Sequence, residues 1–129
     1  MSYYISKTIE GSDLPTIINR VTNALKKERF GVLTEIDMQA TMKKKLDADI
    51  RPYYILGACN PPYAYQALKA ENKIGTMLPC NVIIQELENG IIEVAAVDPV
   101  ASMQAVKNEK LDQAALEIKA KLEKVVAGV

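Results

Sequence analysis

A chain of 129 residues without histidine, whose 16 basic side chains are balanced by 16 acidic ones, excludes several functions from the outset. It lacks the excess positive charge that drives nucleic-acid binding, the imidazole of a Ser-His-Asp or Cys-His arrangement, and any apolar run long enough to cross a membrane. The length suits one domain burying roughly two thirds of its unfolded surface, and an N-terminus without a basic stretch leading into an apolar segment predicts a cytoplasmic protein with neither signal peptide nor membrane anchor.

Residues 3–9 are rich in aromatic and β-branched side chains and stop at Gly11-Ser12, which predicts a first strand. Asp13 is an N-cap, Pro15 fits a first turn, and Leu14, Ile17, Ile18, Val21 and Leu25 recur at helical spacing. Gly31 is expected to close that helix in a left-handed conformation. Residues 32–36 form a second strand with Val32, Thr34 and Ile36 on one face. Asp37 then caps a small helix whose inward side carries Met38, Thr41, Met42 and Lys45, and Lys43-Lys44-Lys45 reads as a solvated face near its negative end. Residues 53–59 are apolar on both faces and predict a central third strand in which Gly57 permits close backbone approach.

Asn60-Pro61-Pro62 opens a further helix that packs through Tyr63, Ala64, Ala67 and Leu68. Residues 82–87 and 91–97 make a hairpin around Glu88-Asn89-Gly90. A two-residue turn would set Glu86 opposite Glu93, whereas a three-residue turn sets Gln85 there and avoids the like-charge pair, so the longer turn is expected. Asp98-Pro99 caps a short helical turn through Met103. A long terminal helix then carries Leu111, Ala115, Ile118, Leu122 and Val125 as one apolar stripe. The order β-α-β-β-β-β-α, with small helices after the second and third strands, gives an α+β fold of one sheet and one helical layer.

The one sharp local feature is a repeated dipeptide, Cys59-Asn60 and Cys80-Asn81, which contains both cysteines of the chain. The hairpin places Cys80 and Asn81 opposite Val97 or Asp98. If the third and fourth strands are antiparallel, Cys59, Asn60, Cys80, Asn81 and Asp98 gather at one sheet end; if they are parallel, the cluster dissolves. Such a cluster suits a small-molecule ligand, since its amides and carboxylate supply directed hydrogen bonds beside a helix N-terminus that welcomes anions. The alternative is a thiol-based redox or soft-metal protein: Cys59 precedes a helix N-terminus that favours its thiolate, and Cys59 and Cys80 with Asp98, or the thiolates of two subunits, would suit zinc or copper(I). The plainest reading makes both cysteines small core side chains and Asn60 a helix cap. No catalytic residue and no cofactor is assigned.

Gly57-Ala58-Cys59-Asn60-Pro61, Ala67-Leu68, Leu78-Pro79-Cys80-Asn81-Val82 and Val97-Asp98-Pro99, together with Gly31 and Glu35-Ile36-Asp37, resemble the family called domain of unknown function 302. The resemblance covers nearly the whole chain. It implies an antiparallel five-stranded sheet packed by helices on one face, similar to the TATA-box-binding protein, and a homodimer, with no activity attached. Tyr53, Tyr54, Tyr63 and Tyr65 are candidate dimer contacts, because tyrosine joins large contact area to a polar tip.

Overall fold

A computed structural model describes residues 2–129. Strand β1 (Tyr4–Ile9) leads to helix α1 (Leu14–Lys27), strand β2 (Gly31–Asp37), helix α2 (Met38–Leu46), strand β3 (Tyr53–Cys59) and helix α3 (Pro61–Ala70). A 3₁₀ turn (Ile74–Met77) precedes strands β4 (Cys80–Glu86) and β5 (Ile92–Val97), and the short helix α4 (Pro99–Ser102) precedes the long α5 (Glu109–Ala127). The five strands form one sheet in the order β1-β5-β4-β3-β2, with every neighbouring pair antiparallel. The α+β architecture expected from the sequence is the observed one.

Alternation decides which side chains face the helices. Leu56 of β3, Val82 and Ile84 of β4 and Val94 and Ala96 of β5 are fully buried, and they meet Ile17, Val21 and Leu25 of α1 and Leu122 and Val125 of α5 in the main core. A second, separate cluster joins Ala67 of α3, Ile74 of the 3₁₀ turn and Leu111 of α5, with Leu78, Met103 and Val106 around it. The terminal helix thus divides its stripe. Leu111 serves the small cluster, and the residues from Ile118 onward serve the large one.

The hairpin has the longer turn. Gln85 pairs with Glu93, the Gln85 Nε2 donates to Glu93 Oε1 at 2.8 Å, and Asn89 (φ 62°) and Gly90 (φ 73°) take the left-handed positions that close it. Three details differ from the sequence reading. Helix α1 is closed by Arg29, at φ 67°, and not by Gly31, which opens β2. Phe30 N–H donates to the Leu25 carbonyl at 2.9 Å and Arg29 N–H to the Lys26 carbonyl at 3.0 Å, a Schellman pattern whose apolar contact is supplied by Phe30, a core residue like Leu25. That contact sets the stop two residues early. In β2 the register shifts between Val32 and Thr34, so Leu33 is an inserted residue, Val32 turns to the core, and only Thr34 and Ile36 share the outer face. Helix α2 buries no residue, and Lys45 and Leu46 are exposed.

Candidate functional site: an apolar cleft at the Cys-Asn pairs

Because β3 and β4 are antiparallel, the exit of one meets the entrance of the other: Ala58 pairs with Cys80 and Gly57 with Asn81. Space is tight there. A Cβ on Gly57 would collide with Thr34 Oγ1 and would lie 2.8 Å from Pro79 Cγ, so the close approach expected at this glycine is what lets β2 and the Pro79 turn pack over β3. Gly57 thereby sets the position of Cys80.

The five residues proposed from sequence separate into two groups. Cys59, Asn60 and Cys80 line one cleft of about 330 Å³ between the sheet end, α3, the 3₁₀ turn and α5. Asn81 is exposed and belongs to the opposite face of the sheet, since it pairs with Gly57 between the inward-facing Cys80 and Val82. Asp98 is buried but already committed. Its Oδ1 accepts from the N–H groups of Val100 (2.9 Å) and Ala101 (3.3 Å), and its Oδ2 pairs with Lys119 Nζ at 3.0 Å. Burial pushes its pKa up, but Lys119 and the two amides outweigh that and hold it below the ordinary carboxylate value.

Asn60 occupies the N-cap position of α3 without capping it. The next two residues are prolines, and Pro62 at the second helical position removes one of the two amides a cap could satisfy; the side chain instead donates from Nδ2 to the Glu28 carbonyl at 3.2 Å. It ties the end of α1 to the start of α3. The same prolines strip the α3 N-terminus of half its free N–H groups. The anion-binding character expected there is correspondingly weakened.

The cleft wall is almost entirely carbon and sulfur. Phe30, Leu33, Leu78, Met103, Leu111 and Ile118 contribute its bulk, and no charged side chain lines it although a quarter of the chain is charged. Tyr63 turns its hydroxyl to Glu117 on α5. Among the described residues, no buried side-chain nitrogen or oxygen lacks a partner. Both cysteines are free thiols. Desolvation first, and the neighbouring Cys59 second, push the Cys80 pKa up to about 11, which keeps it a neutral thiol near pH 7.

Among the described residues, no group of three or more histidine, cysteine, aspartate or glutamate side chains is placed to hold a metal ion. The set Cys59, Cys80 and Asp98 therefore does not form within one chain, because Asp98 is turned to Lys119 and the α4 amides. No helix among them is long and apolar enough to cross a membrane. Nor do the four tyrosines make one surface. Tyr54 donates to Asp37 Oδ2 at 3.3 Å, Tyr63 packs beside the main core, Tyr65 is exposed beneath Lys69, and Tyr53 lies on the outer sheet face. Sequence reasoning missed Phe30, Leu33 and Met103 as cleft residues. Phe30 was hidden by the misplaced helix end and Leu33 by the bulge.

The model of the family described as domain of unknown function DUF302 matches residues 5–129. Among solved structures, the crystal structure of an uncharacterized conserved DUF302 protein from Bacillus stearothermophilus superposes with a TM-score of 0.89, at 24% identity over 98% of each chain. At that identity the likeness speaks for the fold. No curated protein matches the chain.

Proposed function

The chain belongs to the DUF302 family, and within that frame we propose that it is a binding module for a small, uncharged, apolar molecule held in the cleft beside Cys59, Asn60 and Cys80. The observation that carries this reading is a wall with no charged side chain, whose Asn60 Nδ2 and Tyr63 hydroxyl both donate elsewhere, to the Glu28 carbonyl and to Glu117. An anion or a nucleotide entering it would give up its hydration without compensation, whereas an apolar molecule gains for every Å² it removes from water. Size narrows the class further. The cleft, at about 330 Å³, is about twice the 150 Å³ of an engineered cavity that accepts benzene, so it suits a ligand of roughly ten to fifteen non-hydrogen atoms, such as two fused rings or a short alkyl chain.

Naphthalene is a suitable test compound. Ligand-observed NMR should detect its binding to the native chain, and saturating naphthalene should raise the unfolding midpoint. Ala64→Phe, which fills the cleft from α3, should abolish both effects while leaving the fold intact. Absence of binding to the native chain, or equal binding to the filled variant, defeats the reading.

The rival, a thiol-based redox or soft-metal function of Cys59 and Cys80, draws support from both thiols lining the same cleft. The raised Cys80 pKa weighs against it, since the nucleophile and the metal ligand are both the thiolate.

A further inference from the structure

Three hollows meet at the residue that follows α4. The first is the cleft. The second is a groove of about 560 Å³ between the segment after α4 and the first turns of α5, and the third, of about 200 Å³, lies beside the start of β4. Among the described residues, Met103 alone lines all three.

The wall shared by the cleft and the groove consists of Met103, Leu111 and Ala115. Leu111 and Ala115 are buried on α5 and held in place by that helix. Met103 is only half-buried, stands just past the last turn of α4, and carries an unbranched side chain with three rotatable bonds. It is the part of the wall that can move. The gap its movement opens has the width of the side chain itself, which admits a single alkyl chain and stops a pair of fused rings.

The two sides of the wall differ in chemistry. The cleft has no charged side chain, whereas the groove carries Lys107, Glu109 and Asp112, all exposed. Among the described residues none of these three is in an ion pair. The two acids sit in the first turn of α5, where the helix dipole and Lys107 offset their charge, so the groove offers hydrogen bonds without a strong preference for either sign. A molecule lying across the wall is therefore apolar at one end and neutral and hydrophilic at the other.

We propose that Met103 is a movable end wall, and that the cleft takes a linear alkyl chain with a neutral, hydroxylated head, the chain in the cleft and the head in the groove. The proposal rests on the reading of the cleft as an apolar binding site and narrows its ligand to one class. Met103 is then the residue that selects chains over rings at the passage.

Octyl β-glucoside below its micelle concentration is the probe. Followed by NMR on the native chain, it should shift the amide signals of Lys107, Asn108 and Glu109, which line the groove and not the cleft; naphthalene, lying wholly in the cleft, should leave them in place. Hexyl β-glucoside should bind about fifteenfold more weakly than the octyl compound, at about fourfold per methylene. Met103→Ile nearly conserves the volume and stiffens the side chain at χ1. It should bind naphthalene as the native chain does, and octyl β-glucoside roughly tenfold more weakly, because about two methylenes no longer reach burial. If that variant fails to fold, the groove amides of the native chain decide. Octyl β-glucoside that binds without moving those amides, or that binds the variant as well as the native chain, overturns the proposal. So does a native chain that binds naphthalene and not the glucoside, which leaves the cleft reading standing; a native chain that binds neither overturns both.

Discussion

Asp98 illustrates how a side chain assigned to a site can turn out to hold the scaffold. Its carboxylate caps α4 and pairs with Lys119 on α5, joining the end of the sheet to the terminal helix. Because its folded pKa is depressed below 3.8, the stability it contributes is complete above that value and is lost as the pH falls through the lower folded value. Asp98→Asn should therefore cost about 1–3 kcal/mol at pH 7, with the difference from the native chain shrinking below pH 4; urea titrations at both ends of that range measure it. The aspartate was legible in the sequence as a cap through its Asp-Pro context. Its partner was not, since Lys119 lies 21 residues further along the chain and its distance in space is set by how α5 packs. Asn60 was misread for a local reason: the cap preference of asparagine is strong, but of the two prolines that mark the helix start, Pro62 also removes a donor that the cap would bond.

The hairpin was the most legible element, because everything that fixes its register lies within a dozen residues. The Gln85 and Glu93 pairing followed from electrostatics alone. The end of α1 was less legible. Glycine is the usual left-handed residue after a helix, and Gly31 stood nearby; the chain nevertheless stops where Phe30 can be buried over Leu25, and Arg29 bears the left-handed conformation as a consequence. That geometry costs a non-glycine residue about 1–2 kcal/mol, while glycine loses about 0.5–1 kcal/mol more backbone freedom on folding. Arg29→Gly should accordingly raise stability by about 0.5–1 kcal/mol, seen as a higher urea midpoint with unchanged slope. A loss of stability would mean that the arginine side chain contributes more than its exposed position indicates. The bulge at Leu33 left no mark in the sequence at all, because no glycine or proline announces it; it is imposed by the packing of Thr34 against Gly57.

At the scale of the whole molecule, the apolar stripe of α5 was readable from spacing, but not that it serves two cores. Leu122 is fully buried in the larger one, and Leu122→Ala should cost about 2–5 kcal/mol by urea denaturation; a cost under about 0.5 kcal/mol would mean that this side chain lies outside the core. The cleft occupies the gap between the two cores, with Phe30, Ala58 and Ile118 on one wall and Ala67, Leu78 and Leu111 on the other. A seam of this kind divides the cooperativity of the chain. The smaller side, built on three buried residues, can detach while the sheet, α1 and the C-terminal half of α5 stay folded, so amide protons of α3 and the 3₁₀ turn exchange with solvent through a cheaper opening than those of β4 and β5. A guest in the seam would bond the two halves into one foldon and slow the fast set toward the rate of the slow one.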